Sequence, residues 1–124
     1  MATLKKTRKR KPGLGHKAAK EMLMLTLISF VPRNLIETEF RFHPPRRWRW
    51  DYCVPSLMLA IEYHGGIYSG GRHVRGIGFE KDREKMNTGQ LDGWTILELT
   101  EEMVKSGKAY EMIEKAIQKN GGEI

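Results

Sequence analysis

Cysteine is nearly absent from this chain. Cys53 stands alone, which excludes an internal disulfide and a cysteine-rich zinc site. It reads as a small buried hydrophobe, and a reducing cytoplasm suits it. Long apolar runs are missing too. The longest, residues 22–31, is broken by Thr26 and Ser29, and is too short to cross a membrane. The basic N-terminus is not followed by a secretory core and cleavage site. No internal repeat is visible. Acid is missing from the first 20 residues, which carry Lys5, Lys6, Arg8, Lys9, Arg10, Lys11, Lys17 and Lys20.

That last absence accounts for the charge. The net charge is +7, so the remaining 104 residues sum to −1. Basicity belongs mainly to the tail, and such tails bind phosphate in a strongly salt-dependent way. Residues 1–13 read as a disordered arm closed by Pro12-Gly13. Residues 14–124 read as one domain. Within it, residues 33–85 hold ten Lys/Arg against seven acids, and residues 86–124 hold four against seven.

The stretch that organises the domain is RRWRWDYCVPSLMLAIEYHGG, residues 46–66. Residues 47–54 alternate as a strand does: Trp48, Trp50, Tyr52 and Val54 on one face, Arg49, Asp51 and Cys53 on the other. Residues 57–64 open as an apolar run suited to a strand covered on both faces. That strand stops on Glu62, Tyr63 and His64. Folding the two antiparallel about Pro55-Ser56 sets Asp51 opposite Ile61 or Glu62. Opposed side chains have Cβ atoms roughly 5 Å apart. Two carboxylates that close repel each other. Either one is protonated, or arginines 46, 47 and 49 pair with them, or a hard divalent cation such as Mg2+ lies between them.

The flanking elements are plainer. A helix is expected over residues 16–29, with Ala19, Met22, Leu23, Thr26 and Leu27 as its apolar stripe. Pro32 ends it. Glu21 is its only acid, and pairs with Lys17 a turn away. An exposed strand is expected over 35–42, with His43-Pro44-Pro45 as punctuation. The loop 67–78 carries four glycines with Tyr68, Arg72, His73 and Arg75. Glycines admit close backbone approach, the arginines offer phosphate donors, and His73 can move a proton near neutral pH. The pattern lacks the Lys-Ser/Thr of a nucleotide P-loop. A second helix is expected over 79–91, with Lys81 and Lys85 on one face. A strand follows over 94–99, then a short helical turn capped by Thr100, and a last helix ending near Lys119. The order gives an α/β fold, α-β-β-β-α-β(-α), around a mixed central sheet.

Trp50-Asp51 followed by Leu59-Ala60-Ile61-Glu62-Tyr63-His64-Gly65-Gly66 resembles the PD-(D/E)XK nuclease superfamily. The likeness is to its small phage and bacterial endonucleases of the very-short-patch-repair and VRR-NUC type. It continues through Ser69-Gly70-Gly71-Arg72-His73, Phe79, Asp82, Lys85 and Gly93-Trp94. The resemblance implies a restriction-endonuclease-like core and Mg2+-dependent cleavage of DNA, with Mn2+ as a substitute ion and RNA a less favoured substrate. Asp51 and Glu62 would hold the ion, with the Tyr63 carbonyl and Glu21 as further ligands. The lysine expected two residues after the strand glutamate is His64 here. Lys85, on the following helix, is the candidate replacement, with His64 and His73 as other catalytic groups. The tail bases, Arg72, Arg75 and Tyr68 would bind nucleic acid. Branched, junction or mismatched DNA are candidate substrates, and symmetric cutting of two strands would need a homodimer. The rival expectation is a non-catalytic nucleic-acid-binding protein with a basic arm.

Overall fold

A computed structural model of the chain describes residues 15–65 and 77–122. The tail bases Lys5, Lys6, Arg8, Lys9, Arg10 and Lys11 lie outside the described residues, as do Tyr68, Arg72, His73 and Arg75. The elements run α1 (His16–Phe30), β1 (Glu37–Arg41), β2 (Arg49–Val54), β3 (Leu59–His64), α2 (Ile77–Leu91), β4 (Thr95–Thr100), α3 (Glu101–Ser106) and α4 (Lys108–Lys119). No helix among the described residues is long and apolar enough to cross a membrane.

The four strands lie in the order β1-β2-β3-β4. β1 and β2 are antiparallel, as are β2 and β3; β3 and β4 run parallel. The parallel pair needs a crossover, and α2 supplies it. This is the mixed α/β sheet expected from the sequence. β1 is the exposed edge, with only Phe40 partly covered. β3 is the central strand of the buried pair, which explains its unbroken Leu59-Ala60-Ile61 run.

Two apolar clusters lie against the sheet. One joins Ala19, Leu23 and Leu27 of α1 to Tyr52, Val54, Leu59, Ile61 and Leu99, and to Ile113 and Ile117 of α4. The other joins Trp50, Cys53 and Ala60 to Trp94 and to Met86 of α2. So α1, α3 and α4 cover one face, and α2 the other. The α1 stripe has the spacing i, i+4, i+8, and Met22, expected within it, is exposed instead. Cys53 is wholly buried, and burial pushes its thiol up to about 12. Thr100 caps α3 as expected, its hydroxyl accepting from Met103 N at 3.2 Å.

Two local expectations are corrected. The connection between β2 and β3 is a tight helical turn over Pro55–Leu57 that leaves Met58 in the left-handed region (φ 51°), so β3 begins at Leu59 rather than at 57. The alternation of β2 also fails at one place. Trp50 packs under α2, while Tyr52 and Val54 pack towards α1. The neighbouring strand is distorted at the same level. Glu39 sits between the paired positions Thr38↔Tyr52 and Phe40↔Trp50, and has φ 51°. A non-glycine residue in that region interrupts the pleat. In α2, Asp82 pairs with its neighbour Arg83.

Candidate functional site

The site forms where β2 and β3 stop pairing regularly. Their register runs Val54↔Leu59, Cys53↔Ala60, Tyr52↔Ile61, and its next step is Asp51 against Glu62. There, side chains replace the ladder. The Asp51 amide donates to Glu62 Oε2 at 3.1 Å, and the Tyr63 amide donates to Asp51 Oδ2 at 2.8 Å. Each acid takes the backbone N–H of the strand opposite. A carboxylate is a stronger acceptor than a carbonyl, and backbone donors favour its charged form.

The two acids then look in different directions. Glu62 is 7% exposed. Its other oxygen, Oε1, accepts from Lys85 Nζ at 2.7 Å. Lys85 comes from α2 and its ammonium lies 5.3 Å from the Trp50 ring centre. Burial pushes the Glu62 carboxyl above its ordinary range, and the Asp51 charge adds to this; the Lys85 bond, the Lys85 charge and the Asp51 amide work the other way. Asp51, expected on the Cys53 face, instead lines a cavity of about 280 Å3 on the α1 side, with His16, Lys20, Tyr63 and Gly65. Asp51 thus borders the α1 side, while Glu62 is bonded to the helix on the other face. Among the described residues, Asp51 Oδ1 has no hydrogen-bond donor.

The arginine alternative has no support in the contacts. Arg46 stacks on Trp48 with its guanidinium 3.7 Å from the ring centre and pairs with Glu84 at 3.1 Å. Arg49 pairs with Glu39 at 3.6 Å. His43 meets Asp92 at 2.7 Å, a tie between the strand connection and the end of α2. His64 turns to Glu98 of β4 at 3.1 Å and makes no contact with Asp51 or Glu62. Glu21 is exposed on α1 and makes no ion pair among the described residues. Lys85 is therefore brought to Glu62, the two acids are linked through each other's strand backbone, and Glu21 and His64 are not joined to them.

A second set of residues, unexpected from the sequence, surrounds Asp51. His16 Nδ1 lies 2.9 Å from the Tyr63 hydroxyl and 3.6 Å from Glu101. Glu101 also accepts from the Gly15 amide at 2.8 Å. Tyr52 donates its hydroxyl to the Lys20 carbonyl at 3.2 Å, which fixes α1 against β2 beside Asp51; burial pushes that phenol up to about 12. Gly65 is needed where it stands, since a Cβ there would come within 2.6 Å of the His16 ring. The one signal for this set was spacing: His16 and Lys20 are a helical turn apart, beside the buried Ala19 and Leu23.

Chemically, the arrangement offers two oxygen-donor acids, one buried, with an ammonium on one of them. Those donors are hard, and the upward push on Glu62 is what a cation between the acids would relieve. Among the described residues no group of three or more His, Cys, Asp and Glu side chains is gathered for a metal ion. The ion would thus draw on the two acids, with backbone and solvent oxygens completing its shell. A scan of protein-family models, a search of curated proteins and a search of solved structures each find no match to this chain.

Proposed function

We propose that the protein is a divalent-metal-dependent endonuclease of PD-(D/E)XK type acting on DNA. The observation that carries this reading is the 2.7 Å bond from Lys85 to Glu62. A lysine supplied by the helix after β3 stands on the strand glutamate, where the residue two places along β3 is a histidine turned away. Asp51 and Glu62 would hold Mg2+ or Mn2+, with the Tyr63 carbonyl as a further oxygen ligand. Such an ion, when bound, would supply Lewis-acid activation of water and offset charge on the phosphate. Lys85 would orient the attacking water or stabilise developing charge. The basic arm and the loop bearing Arg72, His73 and Arg75 supply further contacts to nucleic acid.

Incubating plasmid and four-way-junction DNA with the protein in Mg2+, Mn2+ or EDTA tests this. Cutting in either metal and none in EDTA supports the reading; no cutting in any condition refutes it. A second reading draws on a specific observation: both Glu62 oxygens are already engaged, by Lys85 and by the Asp51 amide. A closed polar set of this kind also suits a nucleic-acid-binding protein without catalysis. Salt-sensitive binding with no cutting is its signature, and the same assay on RNA separates the two substrates.

A further inference from the structure

Lys20 and Asp51 line one cavity yet do not pair. Among the described residues Lys20 has no carboxylate within ion-pair distance; its ammonium lies 6.0 Å from the centre of the Tyr63 ring. Asp51 is held through Oδ2 alone. The third acid nearby, Glu101, is taken by the Gly15 amide and His16. The cavity thus presents one unneutralised ammonium and one carboxylate oxygen to the same space. A ligand complementary to that pair carries a cation and an anion side by side. A phosphodiester with a divalent ion is such a ligand.

We propose that this cavity seats a backbone phosphate of the bound strand adjacent to the scissile one, with Lys20 as its cationic contact. The proposal rests on the nuclease reading above. The site is built, since three features fix the lysine and the wall around it. Tyr52 clamps the Lys20 carbonyl, the His16–Tyr63 pair forms the polar wall, and Gly65 leaves room for the imidazole. The two lysines then flank the acid pair from opposite layers. Lys85 is committed to Glu62, and Lys20 is free for phosphate. A lysine suits this contact as a mobile point charge rather than a planar fork.

The test is fluorescence anisotropy of a labelled duplex with the full chain, Ca2+ replacing Mg2+, over a series of salt concentrations. Lys20 is exposed, so Lys20→Gln should leave the fold intact. Removing one phosphate contact lowers the slope of log Kd against log salt by about one. Lys20→Gln is expected to show that drop, and Lys20→Arg to restore the slope. Single methylphosphonates scanned along one strand add position. In the wild type one position should lose affinity on neutralisation, and in Lys20→Gln that same position should cost nothing further. An unchanged slope with normal wild-type binding overturns the phosphate seat and leaves the nuclease reading standing. A wild-type protein that neither binds nor cuts removes both.

Discussion

Lys85 Nζ and Glu62 Oε1 are 2.7 Å apart, joining a helix on one face of the sheet to a buried acid at the end of its central strand. This bond sets the chemistry available at the site, and it depends on how closely α2 approaches. Gly89, one turn beyond Lys85, allows that approach, since a Cβ there would come within 2.6 Å of the Trp50 ring. Lys85→Met is expected to lower kcat by about 10²–10³, the scale for losing one preorganised charge donor. Gly89→Ala should cost about 1–3 kcal/mol by overpacking and lower kcat as well, because it shifts Lys85 off Glu62. Steady-state cleavage and thermal unfolding measure both. A Gly89→Ala protein with wild-type kcat would mean that this bond is not needed.

The buried acid gives a pH prediction. Burial holds the Glu62 pKa above its ordinary value of 4.5. Between that value and the raised one, the folded state keeps a proton that the unfolded chain has lost. Folding stability from this group therefore falls as pH rises through that window. Glu62→Gln cannot titrate. The substitution also removes the Lys85 pairing, which shifts the variant's Tm by an amount set apart from this titration. On top of that offset, the Tm difference should move in the wild type's favour as pH is lowered towards 4.5. Melting curves across pH decide this; a difference that stays constant with pH contradicts it.

Divalent ions should reverse that cost. Mg2+ or Mn2+ is expected to raise the Tm of the wild type, since a ligand that binds only the folded state stabilises it. The rise should vanish in Asp51→Asn and in Glu62→Gln. Equal rises in all three proteins would place the ion elsewhere.

Glu39 stands between the pairs Thr38↔Tyr52 and Phe40↔Trp50 in the left-handed region, and that distortion is predicted to turn Asp51 towards α1. The left-handed conformation costs a non-glycine residue about 1–2 kcal/mol. Glu39→Gly should be neutral or stabilising and keep activity. Glu39→Val should destabilise by about 1–3 kcal/mol and impair cutting, because a β-branched residue resists that φ. If valine were tolerated with full activity, the distortion would not position the acid.

The basic arm is tested by removal. Deleting residues 1–11 should flatten the salt dependence of DNA binding while leaving the Tm unchanged. An unaltered slope would exclude the arm from the interface.

Much of this architecture was legible in the residues. Period-two patterning placed β2, an apolar run placed β3, their turn set Asp51 against Ile61 or Glu62, and the resemblance offered Lys85 as a candidate in place of His64. Thr100 gave its cap through an ordinary hydroxyl at a helix start. What could not be read was the reversal of facing at Asp51. Nor could the left-handed φ of Glu39 at the same level of β1, since glycine or asparagine is the usual signal. The residues around Asp51 were hidden for another reason. His16 and Lys20 read as part of a basic run, and Tyr63 as the flank of a motif; only the packing of α1 on β2 brings them together. Trp48 and Trp50, equivalent by alternation, both stack on Phe42 but differ in burial: Trp50 is wholly buried, and Trp48 lies under Arg46.

The central claim is that Asp51 and Glu62 share one divalent ion. Anomalous scattering from a crystal grown at a Mn2+ concentration that supports cleavage tests it most directly. One manganese peak within coordination distance of an oxygen from each acid, beside the Lys85 ammonium, is the result predicted. A crystal with manganese bound elsewhere, and the two acids still held only by Lys85 and each other's backbone, would contradict it.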